Sequence, residues 1–93
     1  MHAIVVQVTF KPGRQHEAMS ELEANVVPGV KRAEGFVAGY WLQTDDEVRG
    51  ISVELFDTRA NAEAELARRN IIASEQAPLS IDSVAILEVI ANA

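Results

Sequence analysis

The 93-residue chain contains no cysteine. That excludes a disulfide scaffold, a thiolate metal site and cysteine nucleophile chemistry, and it fits a cytoplasmic protein. Aromatic residues are scarce, with three Phe, one Tyr and one Trp, so Ala, Val, Ile and Leu must supply the bulk of any core. Basic residues are outnumbered, eight against fourteen acids, for a net charge of −6. A surface of that sign suits neither a nucleic-acid groove nor an anionic membrane. No apolar run approaches the ~18 residues of a membrane span. The start, Met1-His2-Ala3-Ile4-Val5-Val6, has no basic region and its apolar run breaks at Gln7, so it does not read as a signal peptide. Pro12-Gly13 has too few glycines and no following Lys-Ser/Thr for a phosphate loop. There is no internal repeat and no low-complexity linker, so residues 1–93 read as a single domain.

What is present is a strict succession of patterns. Residues 2–10 are rich in β-branched types and read as a strand. After Lys11-Pro12-Gly13 the pattern turns helical over 14–27, with Ala18, Met19, Leu22 and Val26 on one face and Arg14, Glu17 and Glu21 off it. Pro28-Gly29 is expected to stop that helix. Residues 36–44 and 48–56 read as strands joined by an Asp45-Asp46-Glu47 hairpin turn. Asp57 or Thr58 can cap a second helix over 59–73, with Ala60, Ala64, Ala67 and Ile71 forming a small-residue stripe, the face such an amphipathic pattern turns to a core. A polar connection from Ser74 to Asp82 leads to a last strand over 82–91. The order β-α-β-β-α-β is that of an α+β, ferredoxin-like domain, a four-stranded antiparallel sheet with two helices on one face.

Alternation along the strands leaves too much apolar surface for one covered face. On the first strand Ile4, Val6, Val8 and Phe10 share one side, while Ala3 and Val5 join Gln7 and Thr9 on the other. Exposing Val5, Val37, Leu87 and Val89 would create a patch larger than monomers usually carry. The economical solution is a homodimer, sheet face against sheet face.

Residues 35–66 carry a resemblance. Gly35-Phe36, Gly39-Tyr40, Asp45-Asp46 and Val53-Glu54-Leu55-Phe56-Asp57-Thr58, leading into an Ala-rich helix, are similar to the antibiotic biosynthesis monooxygenase family of the dimeric α+β-barrel superfamily. The resemblance implies a ferredoxin-like protomer whose sheet pairs with a partner's. In some members it implies a cavity between sheet and helices, where cofactor-independent members oxygenate phenolic or quinol substrates and related members degrade haem. Three positions depart from the pattern. Glu54-Leu55-Phe56 stands where an acidic-x-Trp step is common, Glu65-Leu66 where a His-Leu pair is common, and Gln7 is the nearest match to an Asn of the haem-degrading branch. Residues 58–73 contain no His, so imidazole ligation of haem from that helix is not expected.

Two residues are the catalytic candidates. Glu54, alternating with Gly50, Ser52 and Phe56, would be a carboxylate in an apolar setting and a general base; the competing reading is an ion pair with an arginine. Tyr40 and Trp41 must point to opposite faces. The set Phe36, Ala38, Tyr40 and Leu42 is the more apolar, which places Tyr40 toward the helices as a substrate-orienting donor and Trp41 at the dimer interface. His16, Ser20 and Glu23 lie a helical turn apart but lack a nucleophile elbow, and read as a solvated face. His2 and His16 have no third ligand, so no metal is expected, and no cofactor is called for. Asn25 and Asn70 suit helix ends, with Asn70 a weaker candidate for a pocket, and Lys31-Arg32 and Arg68-Arg69 suit the C-terminal dipole or an acidic substrate. The function readings are a cofactor-independent monooxygenase of a phenolic or quinol-type small molecule, a non-catalytic dimeric module that binds a small ligand or another protein, and, third, an isomerase or lactone-type lyase.

Overall fold

A computed structural model describes residues 1–69 and 75–93. Its strands are β1 (His2–Phe10), β2 (Phe36–Gln43), β3 (Arg49–Phe56) and β4 (Leu79–Glu88). They form one antiparallel sheet in the order β2-β3-β1-β4. The helices are α1 (Gln15–Glu21), α2 (Val27–Lys31) and α3 (Arg59–Arg69). A π-helical turn, Leu22–Val26, joins α1 to α2 into one run. The ferredoxin-like arrangement expected from the sequence is thus the observed one, with an open sheet rather than a closed barrel in the single chain.

The core lies between the helices and one sheet face. Ile4 and Val6 of β1, Phe56 of β3, Val30 of α2 and Ala62 of α3 are buried together. Phe36 meets Phe56 edge to face, with ring centroids 5.9 Å apart. The opposite face carries Val5, Val53 and Leu55, flanked by exposed Tyr40, Leu42, Ile51 and Leu87.

Four sequence expectations are corrected. The first helix does not stop at Pro28-Gly29 but runs to Lys31. In a regular α-helix Pro28 would lose the bond to the residue 24 carbonyl and clash with it. The π turn shifts the ladder, so that the Val27 N–H donates to the Leu22 carbonyl five residues back, and Pro28 enters as a first-turn residue of α2. β4 begins at Leu79, three residues early, because Leu79 and Ile81 pair with Phe10 and Val8. The register shift between Gln7 and Val8 hides this from simple alternation, and the bond from Thr9 Oγ1 to Asp82 Oδ2 is made beside it. β4 ends at Glu88, opposite His2, and the Val89 N–H then donates to the Met1 carbonyl, where β1 has no further residue to offer. On α3 the buried residues are Ala62 and Glu65, with Leu66 and Arg69 half-buried, whereas Ala60, Ala64 and Ala67 face solvent. Asn70 and Ile71 lie outside the described residues.

Candidate active site

The helical run packs loosely on the sheet around its π turn. Within α1 and the π turn only Ala18 is buried, and no residue of the π turn itself is. The space left behind is a cavity of about 450 Å³. Met19, Leu22 and Val26, the face expected from the sequence to be apolar, form its roof. Val8, Phe10 and Trp41 contribute to the sheet side. Volume and apolar lining are those of a small-molecule pocket.

Two ionised side chains reach this wall, Glu54 from β3 and Arg69 from the last turn of α3. Glu54 shares the helix-facing side with Gly50, Ser52 and Phe56, as alternation requires. It is completely buried, and its side chain is not free. Arg69 Nη1 donates to Glu54 Oε1 at 2.9 Å, and Arg69 Nη2 donates to Glu54 Oε2. Arg69 Nε donates in turn to Glu65 Oε2 at 2.9 Å. Glu65 also accepts from Arg68, through Nε at 2.6 Å and Nη2 at 2.8 Å. Two buried carboxylates are therefore balanced by two guanidinium groups, one of which is largely covered. Paired in this way, buried charges are tolerated, whereas removing one partner would strand the other.

Tyr40 is on the other side of the sheet. It lies opposite Val53 and is 58% exposed, while Gly39, Trp41 and Gln43 pair with Glu54, Ser52 and Gly50. The expected orientation of Tyr40 and Trp41 is thus reversed. The cause is a register shift between Phe36 and Ala38, which inserts Val37 as an extra residue and flips every later side chain of β2. Trp41 packs against the core and lines the cavity. Gly39 makes room for it, since a Cβ there would come within 2.7 Å of Trp41 Cη2. The Tyr40 hydroxyl does not share the Glu54 face and cannot orient a substrate in this cavity.

The remaining candidates separate as well. His16 is exposed on α1, and Ser20 and Glu23 are exposed beside it. His2, at the start of β1, is opposite Phe56 and Glu88. Gln7 lies on the open sheet face opposite Ile51 and Ser83. The described part of α3 carries no His, so its side chains offer haem no imidazole ligand. The sequence named Arg69 only together with Arg68, for the helix dipole or an acidic substrate, and not as the partner of Glu54. Its trace was there in Glu65 and Arg69 four apart on one helix face, a spacing suited to an ion pair; its partnership with Glu54 spans fifteen residues and has no sequence signal.

The comparisons with known proteins agree with this architecture. The family model "Antibiotic biosynthesis monooxygenase" matches residues 1–70. The chain belongs to the antibiotic biosynthesis monooxygenase family. Among solved structures it is similar to a Deinococcus radiodurans protein classed with that family, with a TM-score of 0.80 and 10% identity over 100% of this chain and 96% of that one. SnoaB, a cofactor-independent oxygenase from Streptomyces nogalater, gives a TM-score of 0.74 at 12% identity, covering 98% of this chain and 94% of that one. The haem degrader MhuD from Mycobacterium tuberculosis gives 0.75 at 13% identity, covering 100% and 99%. At such identities the likeness is one of fold. A search of curated proteins finds no match. Among the described residues no helix is long and apolar enough to cross a membrane.

Proposed function

We propose that this family member is a cofactor-independent monooxygenase of a small phenolic or quinol-type molecule, with the helix-side cavity as its reaction chamber. One observation carries the reading: an apolar cavity of about 450 Å³ whose wall holds a buried ion pair, Glu54–Arg69. The shared fold with SnoaB supports the reaction class. The substrate C–H or O–H would give its proton to Glu54. The resulting carbanion or phenolate passes one electron to dioxygen, and the radical pair closes a C–O bond to a peroxide. The peroxide is protonated, the carbon that bears it loses its remaining proton, and the O–O bond breaks as a carbonyl forms, leaving one oxygen atom in the product and one in water. Low polarity favours such a sequence, because a dry site keeps the charged intermediates from side reactions.

A second reading, a non-catalytic module that binds a small ligand, is favoured by one specific feature. Both Glu54 oxygens already accept from Arg69, so a proton taken by either oxygen would weaken this bidentate charge pair. Oxygen uptake with an anthrone- or quinol-type substrate separates the two. The enzyme reading expects uptake above the uncatalysed rate that falls at least tenfold in Glu54→Gln, in line with removal of a general base. Uptake that Glu54→Gln leaves unchanged removes Glu54 from the chemistry, and no uptake at all leaves the binding module. In either reading the open sheet face is covered by a second copy of the chain.

A further inference from the structure

Glu54 and Arg69 both line the cavity, and of the two only Arg69 keeps exposed surface. No atom of Glu54 is open to water, whereas the Arg69 side chain is 16% exposed. Glu54 takes one hydrogen from each terminal nitrogen of the guanidinium, and Glu65 takes the one on Nε. Once these described partners are served, each terminal nitrogen retains one further N–H. Few other polar side chains are within reach. Gln43 and Ser52 also line the cavity, but Gln43 Oε1 accepts from Gln15 Nε2 at 2.7 Å, across the gap between α1 and β2.

The geometry points to Arg69 as the ligand-contacting residue: its guanidinium, held by two buried carboxylates, donates to the carbonyl, phenolic or enolate oxygen of a ligand whose apolar body fills the rest of the cavity. This rests on the cavity being the ligand site, and it holds whether the ligand is oxidised or only bound. The two carboxylates fix the plane of the donor in advance, so little reorganisation is needed when charge develops on the ligand oxygen. They also select the ligand class. The positive charge of Arg69 is already offset by Glu54 and Glu65, and a full carboxylate brought to the same donors would face Glu54 across them. A neutral oxygen, or one whose charge is delocalised into a ring, avoids that repulsion.

Trp41 is the only tryptophan of the chain and lines the cavity, so its fluorescence reports occupancy. Three probes of similar size divide the possibilities: α-tetralone, its hydrocarbon counterpart tetralin, and 1-naphthoate. The wild-type protein is expected to bind tetralone about tenfold more tightly than tetralin, the gain of one charge-assisted hydrogen bond, and to bind naphthoate more weakly than tetralone. In Arg69→Lys, which keeps the charge but loses the fixed fork, the preference for tetralone is expected to shrink below about threefold with tetralin affinity retained. Equal binding of tetralone and tetralin by the wild type overturns the role of Arg69 while leaving the cavity reading in place, as does tightest binding of naphthoate. A preference lost in Ser52→Ala but kept in Arg69→Lys overturns it too. Fluorescence unmoved by all three probes overturns the cavity reading itself. Should the substitutions at Arg69 fail to fold, the wild-type comparison of tetralone with tetralin still decides.

Discussion

Gly35 holds a φ of +78°, and a Cβ built there would come within 2.2 Å of Asp57 Oδ1. The same aspartate receives Asn61 Nδ2 at 2.8 Å, and its backbone N–H donates to the Gly35 carbonyl. Gly35→Ala therefore adds left-handed strain to a steric conflict, and is expected to cost roughly 2 kcal/mol or more of unfolding free energy, read from urea titrations. A second residue-scale expectation concerns pH. The Thr44 hydroxyl, at 2.6 Å, and then the Val48 N–H, at 3.0 Å, hold the Asp46 carboxyl below its ordinary value. A lowered folded-state pKa means that the folded state favours the ionised form. The stability it confers is complete above the unfolded-state value of about 3.9 and is lost as the pH falls through the lower folded value. The melting temperature of Asp46→Asn should lie below that of the wild type at pH 7, and the gap should close toward pH 2; a gap that persists unchanged in acid would mean the carboxylate charge is not what holds the turn. At this scale Glu54 was legible in the sequence and its partner was not. Alternation alone puts Glu54 beside Phe56 under the helices, but which arginine meets it depends on how α3 returns across the sheet.

An element reads clearly from sequence when its pattern has one cause. β1 does: every second residue from Ile4 to Phe10 turns toward the helices, and its predicted bounds are the observed ones. β2 has two causes superposed, alternation and a bulge at Val37, and the bulge leaves no compositional mark, which is why Tyr40 and Trp41 exchange faces. α3 misleads for another reason. A hydrophobic-periodicity argument assigns charged residues to solvent, yet Glu65 and Arg69 go inside because Arg69 pairs with both Glu65 and Glu54 while Arg68 supplies the second positive charge. The small-residue stripe of Ala60, Ala64 and Ala67 is then the outer face. The start of α3 was legible down to a choice between two caps, Asp57 or Thr58. Thr58 Oγ1 accepts the Asn61 N–H at 3.1 Å, three residues on, as an N-cap side chain does. Thr58→Ala is expected to lower stability by about 1 kcal/mol, whereas Thr58→Ser, which keeps the acceptor, should stay within about 0.5 kcal/mol of the wild type. Equal losses in the two variants would assign the effect to the Thr58 methyl group and its packing rather than to the cap.

For the whole molecule the surface area decides what its parts leave open. A folded chain of 10.1 kDa is expected to expose about 5,300 Å², but this one exposes 6137 Å². The surplus, roughly 800 Å², is one partner's share of a standard protein interface. Part of it belongs to the tail after β4, where Ile90 is almost fully exposed, and much of the apolar remainder lies on the open sheet face. On that face Leu42 of β2 is 55% exposed and Leu87 of β4 is 53% exposed, at the two edges of the sheet, with Val5, Val53 and Leu55 between them. An isologous pairing of two such faces buries all five sets at once and leaves the helices and the cavity roof outside the interface. Sedimentation equilibrium at micromolar protein is therefore expected to give twice the 10.1 kDa chain mass. Leu42→Lys and Leu87→Lys each place a charge in the buried patch from opposite edges, and each should shift the equilibrium to the single-chain mass without loss of the folded circular-dichroism spectrum. A wild-type protein that sediments as a single chain would require another cover for the open face, and a dimer indifferent to both lysines would have to form through the helices instead.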